Sequence, residues 1–147
     1  MDDDIKYPTN YVDSLTASLA NLNGAAVVGA HARVFVPPHN SYVLDAVVYH
    51  FARDMANHCH VHELGTGTCA FLSNVLTFDV RKWPYRDTND ILLAIEAQKR
   101  GIPRISVKRP SGWIQAHTEG QKDSLWHKKL NEHTRPSDLM RALLKLY

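Results

Sequence analysis

HCHVHELGTGTC, residues 58–69, is the stretch on which the fold prediction depends. Side chains on a strand alternate between two faces, so a strand here places His58, His60 and His62 on one side and Glu63 on the other. The glycine and threonine residues that follow predict a turn. A carboxylate on the inward side of a strand end is costly to bury without a partner, so Glu63 is the first candidate for a functional group.

The segments on either side of this stretch predict further strands and helices. Alternating β-branched residues predict a strand at 25–36, and apolar residues at helical spacing predict a helix at about 41–55. After the histidine strand, the pattern predicts a strand at 75–80, a helix at 87–100 and a strand at 104–108. The resulting β-α-β-β-α-β order is that of the ferredoxin-like fold, an antiparallel sheet with two helices on one face. The predicted class is therefore α+β.

The ends of the chain extend this core, which spans about 25–118. An N-terminal helix is predicted at 10–22 and a short strand at 113–117. C-terminal helices are predicted at 124–132 and 137–147. A length of 147 residues is ordinary for one domain, so a single domain over 1–147 is expected.

Composition restricts the classes of partner. The formal net charge of +2 is too small to argue for nucleic acid. No run of about 18 apolar residues is present to cross a membrane, and the acidic N-terminus differs from a secretory signal. With Cys59 and Cys69 as the only cysteines, a reduced, cytoplasmic protein is expected, in which both thiols are inert.

The predicted sheet has a polar, cationic face on the side without helices. Such a face is either solvated, a contact between subunits, or a binding site. A non-enzymatic binding or inhibitor protein would use its cations, above all Arg33 and Lys108. The residues predicted on this face are His31, Arg33, His58, His60, His62, Thr77, Asp79, Arg104, Ser106 and Lys108.

The alternating histidines also suggest a metal site. Imidazoles at His58, His60 and His62 on one strand face are close enough to share one ion. The His60-Val-His62 pair resembles the His-hydrophobic-His motif of HUH endonucleases. That resemblance implies a metal-dependent nuclease acting on single-stranded DNA.

A second resemblance covers roughly residues 25–118. Glu63, followed by Thr68-Cys69-Ala70-Phe71 in a β-α-β-β-α-β order, is similar to the phage S-adenosylmethionine (SAM) lyases, formerly called SAM hydrolases. The resemblance implies a trimer with active sites between subunits, which splits SAM into methylthioadenosine and homoserine lactone without a cofactor or metal. It also implies an anti-restriction role in the cytoplasm of a phage-infected host cell.

The resemblance implies a role for each site residue. Glu63 would be the catalytic residue, holding the cationic methionyl end of the substrate. Glu96 would replace an acidic residue that the family carries before its last core strand. The substrate-binding residues would be Gly65, Thr66, Gly67, Thr68, Phe71 and Glu96. Two structural alternatives remain open: Glu63 forms an ion pair with a nearby cation, and the glycines only shape a hairpin.

Overall fold

The computed structural model describes residues 2–117 and 134–147. These residues form three α-helices and nine short β-strands, which confirms the α+β class. The predicted helix at 124–132 lies outside the described residues. In chain order the elements are β1 Ile5–Lys6, α1 Tyr11–Asn21, β2 Val27–Gly29, β3 Ala32–Phe35, β4 Ala46–Tyr49, β5 Cys59–His60, β6 Glu63–Leu64, β7 Cys69–Ala70, α2 Asn89–Lys99, β8 Arg104–Ser106, β9 Gln115–Ala116 and α3 Thr134–Leu144.

The strands of the described residues form three sheets. A four-stranded sheet has the order β5-β8-β2-β7, in which β2 runs parallel to β8 and antiparallel to β7. A three-stranded antiparallel sheet has the order β4-β3-β6, and β1 pairs with β9. This mixed strand order differs from one four-stranded antiparallel sheet, so the ferredoxin-like arrangement is not confirmed.

The predicted strand at 25–36 is two strands in different sheets. The chain turns between β2 and β3, where the amide of Ala30 donates to the carbonyl of Thr68 and the amide of His31 donates to the Thr68 hydroxyl. The alternation of β-branched residues continues through this bend. The alternation therefore predicts that the segment is extended, but it does not show where the chain leaves one sheet and enters the other.

The predicted helix at 41–55 is wrong. Strand β4 occupies its centre and pairs antiparallel with β3, with Val47 opposite Val34 and Ala46 opposite Phe35. Two adjacent valines and a tyrosine favour a strand, and pairing with β3 outweighs the helical spacing of the apolar residues.

The predicted histidine strand and its partner at 75–80 also differ from the structure. Strand β5 belongs to the four-stranded sheet and β6 to the three-stranded sheet, so the three histidines share no single face. The segment at 75–80 ends in a 3-10 turn, Val80–Lys82, and β7 begins six residues earlier, directly after the glycine turn. The cationic sheet face is wrong as well, because Arg33 and Arg104 lie in different sheets and are both buried.

Several predicted elements are confirmed close to their expected bounds. Helices α1 and α2 and strands β8 and β9 lie within the segments predicted for them, while α3 begins three residues before the predicted start. Gly101 follows α2 with a φ of +66°, the left-handed conformation that glycine adopts most easily after a helix.

Hydrophobic cores lie on both sides of β2. Val28 packs with Leu15 and Leu19 of α1, whereas Val27 packs with Leu64 of β6 and Leu93 of α2. Both faces of this strand are therefore covered, and all its residues are buried. Strand β6 is held between the second core and β3.

Helices α2 and α3 share a third core. Ile91 and Ile95 of α2 pack with Met140 and Leu143 of α3, and Phe35 at the end of β3 joins them. None of the helices in the described part of the chain is long and apolar enough to cross a membrane.

Candidate functional site

Glu63 is buried in β6, with 2% of its surface exposed. The register of β3 and β6 places Arg33 directly opposite it, and Arg33 Nε lies 3.5 Å from Glu63 Oε1. The hydroxyl of Tyr42 donates a hydrogen bond of 2.6 Å to the same oxygen. We call these three side chains the Glu63 network.

Tyr42 joins this network from the loop between β3 and β4. Its ring lies under the Arg33 guanidinium at 4.6 Å, and Arg33 Nη1 donates to its carbonyl at 3.3 Å. Its amide donates to Ser137 Oγ of α3 at 3.0 Å. Burial and the Glu63 charge raise the pKa of Tyr42 well above its ordinary value, so the phenol stays protonated and donates. The network therefore matches the ion-pair alternative for Glu63.

The four residues that follow β6, Gly65–Thr68, form the threonine turn. The amide and hydroxyl of Thr66 donate to Asp90 Oδ1 at 2.9 and 2.7 Å. Asp90 lies in the first turn of α2, so the turn is fixed to the start of that helix. The Tyr7 hydroxyl donates to the Gly67 carbonyl at 2.7 Å. Asp90 itself is half-buried.

His31 lies against the threonine turn with a buried ring nitrogen. A Cβ built on Gly65 would lie 3.2 Å from the Cβ of His31, so the glycine leaves room for this side chain. Nδ1 of His31 is buried and has no hydrogen-bond partner among the described residues. Burial, together with the Arg33 charge, lowers the pKa of His31 to about 4. The imidazole is therefore neutral near pH 7.

Acidic side chains gather around the same turn. A Cβ built on Gly67 would lie 2.0 Å from Asp2 Oδ2, so only glycine allows Asp2 to come this close. Burial raises the pKa of Asp2, and the nearby carboxylates of Asp4 and Asp90 raise it further. Carboxylates that repel one another in this way favour a bound cation.

The predicted site residues divide into those at this site and those elsewhere. Glu63 lies in β6, which is contiguous with the threonine turn, and Thr66 of that turn is hydrogen-bonded to Asp90. Phe71 packs on Phe78, with ring centroids 5.9 Å apart. Glu96 forms a surface ion pair with Arg100, in which Oε2 lies 2.5 Å from Nη1. Among the described residues, the hydrogen-bond partners of the threonine turn do not include Glu96.

Sequence reasoning missed three members of the site. Tyr42 lies in a segment predicted as a helix, and the pattern places His31 on a cationic face that is solvated, a subunit contact or a binding site, away from the threonine turn. Asp90 is an acidic residue in the first turn of a predicted helix. Such residues are common there because they stabilise the helix dipole, so the sequence does not mark Asp90 as part of a site.

The structure uses the ring nitrogens of two of the alternating histidines in hydrogen bonds. Nδ1 of His58 accepts from the Lys108 amide at 3.3 Å, and Nδ1 of His62 accepts from the Phe35 amide at 2.8 Å. Among residues 2–117 and 134–147, no group of three or more His, Cys, Asp or Glu side chains is arranged to hold a metal ion.

Comparison with known proteins gives no relative from which to transfer a function. No protein-family model matches the chain, and no curated protein is significantly similar to it.

Proposed function

We propose that the protein is a SAM lyase whose substrate binds at the threonine turn. The observation that carries the proposal is the carboxylate of Asp90, which two hydrogen bonds from Thr66 hold at the edge of the turn in a residue that is only half-buried. SAM carries an ammonium and a sulfonium, so a fixed carboxylate with Asp2 beside it suits this ligand.

The reaction asks for substrate positioning more than for a strong acid or base. The carboxylate of SAM attacks the γ carbon of its own methionyl chain, and the carbon-sulfur bond breaks. The bonding pair goes to sulfur, so the sulfonium becomes neutral methylthioadenosine and the remainder closes to homoserine lactone. No water or proton is consumed. Holding the substrate folded in this geometry supplies most of the rate increase.

The Glu63 network acts as a support for this site in the proposal. Glu63 is directed at Tyr42 and Arg33, so it positions the strand that leads into the threonine turn. Asp90 takes the role of the carboxylate that contacts the substrate. The resemblance assigned that role to Glu63, with Glu96 as a second acid.

The proposal includes the finer expectations that come with the resemblance. These are a trimer and a cytoplasmic site of action in a phage-infected cell. Light scattering measures the oligomeric state directly. The chemistry at Asp90 does not depend on where the protein acts.

The experiment is incubation of purified, chelator-treated protein with SAM, followed by mass spectrometry. We expect methylthioadenosine and homoserine lactone in equal amounts, above the uncatalysed background. SAM that stays unchanged, in protein shown to be folded by circular dichroism, would overturn the proposal.

A variant of Asp90 and a matched control variant test whether the reaction takes place at Asp90. Asp90→Asn keeps an oxygen for Thr66 but removes the charge, so we expect turnover to fall ten- to a hundredfold. Asp13→Asn is the matched control, because Asp13 also lies in the first turn of an eleven-residue helix. Equal activity of the two variants would remove Asp90 from the site.

A further inference from the structure

A cleft of about 250 Å³ opens beside the last turn of α2. Its lining includes the apolar side chains of Val34 and Ile102. It also includes the polar side chains of His60, His62 and Tyr147. Among the described residues that line it there is no Asp or Glu, in contrast to the threonine turn.

Arg104 lines this cleft and is 4% exposed. Its Nε donates to the His62 carbonyl at 2.9 Å, and its Nη1 donates to the Ile102 carbonyl at 3.2 Å. Its Nη2 donates to Gln98 Oε1 and to the hydroxyl oxygen of Tyr147. Among the described residues, no acidic side chain forms an ion pair with it. A buried positive charge without a counter-ion is costly and favours an anion nearby.

His62 and Tyr147 supply the hydrogen-bond donors of the cleft, and their other contacts fix which atom of each can donate. Nδ1 of His62 accepts from the Phe35 amide, so the proton of the neutral ring is on Nε2. The Tyr147 oxygen accepts from Arg104, so its hydroxyl proton is available to donate. The rings of His62 and Tyr147 meet edge to face, with their centroids 5.2 Å apart.

We propose that this cleft binds a small organic anion. Its carboxylate or phosphate group accepts hydrogen bonds from His62 and Tyr147 beside the Arg104 charge. Its apolar part lies against Val34 and Ile102. Charge-assisted hydrogen bonds combined with an apolar wall are typical of small-molecule sites.

This anion site is separate from the proposed SAM site. Asp90 and Gln98 lie at opposite ends of α2, and eight residues of helix span about 12 Å. The two sites also have opposite charge. The anion site therefore stands whether or not the protein cleaves SAM.

The test is titration of the full chain, labelled with nitrogen-15, with benzoate and with its neutral isostere benzamide. We expect benzoate to shift the amide of Gly101, which lines the cleft, with a Kd on the order of 1 mM, and benzamide to cause no shift. Phenyl phosphate, titrated in parallel, distinguishes a carboxylate ligand from a phosphate ligand.

Two histidine variants assign the shift to the cleft. His62→Asn keeps an oxygen to accept from Phe35 but lacks the Nε2 proton, so we expect benzoate to bind about tenfold more weakly. His58→Asn is the matched control, because Nδ1 of His58 also accepts from a backbone amide and the ring does not line the cleft. Its Kd should equal that of the original protein.

Three results would overturn the proposal. They are benzamide binding as tightly as benzoate, equal Kd values for the two histidine variants, and no shift at Gly101 with either anion up to about 10 mM. If His62→Asn does not fold, Tyr147→Phe replaces it. That variant removes the second donor and should also weaken benzoate binding.

Discussion

At the scale of single residues, Glu63 matters for stability whatever its role in function. Breaking a buried ion pair by removing one partner costs about 3–5 kcal/mol. We expect Glu63→Ala to lower the free energy of unfolding by that amount, because it leaves the Arg33 charge buried without this carboxylate. Urea unfolding followed by circular dichroism measures the change.

Glu96→Ala is the control for this loss. Glu96 pairs with Arg100 on the surface of α2, where such a pair contributes about 0.5 kcal/mol or less. If the two variants lost the same stability, the buried pair would be no stronger than the surface pair, and the Glu63 network would not hold β3 to β6.

His31 predicts how stability depends on pH. Its pKa is about 4 in the folded protein and 6.5 in an unfolded chain, so between these values only the unfolded chain binds the proton. The stability from the neutral ring is complete above about pH 6.5 and is lost as the pH falls toward 4, by about 3 kcal/mol. Thermal unfolding at several pH values should show this slope.

A His31→Gln variant should lose most of that slope. His50 and His62 have pKa values lowered in the same direction by burial, so a smaller slope of the same sign remains. An unchanged slope would mean that His31 takes up a proton in the folded protein.

The sequence pattern predicts the burial of Glu63 correctly, but it does not predict the partners of Glu63. Its inward position follows from strand alternation, and it is buried as expected. Its partners come from a neighbouring strand and a loop. Arg33 was assigned to the opposite face because the bend between β2 and β3 resets the alternation, and periodicity within one segment cannot show such a bend.

At the scale of elements, α3 is part of the core. Met140 and Leu143 are fully buried against α2, whereas Leu146 beyond the helix is 42% exposed. We expect Leu143→Ala to cost about 2–5 kcal/mol and Leu146→Ala to cost far less. Urea unfolding measures both, and similar small losses would show that α3 is not packed on α2 in solution.

A helix is predicted well where its apolar stripe and its end signals indicate the same segment. Helix α2 has an apolar stripe and a glycine stop, and both are used. The segment around β4 has the same apolar spacing but consists of residues that favour a strand. Its structure is decided by β3, which is a tertiary partner that local spacing does not reveal.

At the scale of the whole molecule, the sheets join segments that are distant in sequence. Strand β2 lies between β8 and β7, and all contacts across the four-stranded sheet connect separate parts of the chain. Local patterns gave the strands β8 and β9 but could not give their neighbours. The α+β class followed from composition and periodicity, while the topology depended on pairing over long range.

The pairing of β1 with β9 has a mechanical consequence. The amide of His117 donates to the carbonyl of Asp4 at 2.7 Å, so residues 4 and 117 lie side by side at one end of a short antiparallel ladder. Force applied between these two residues loads the hydrogen bonds of the ladder one after another instead of all at once. The ladder therefore unzips at low force, and the cores behind it are loaded only after it has opened.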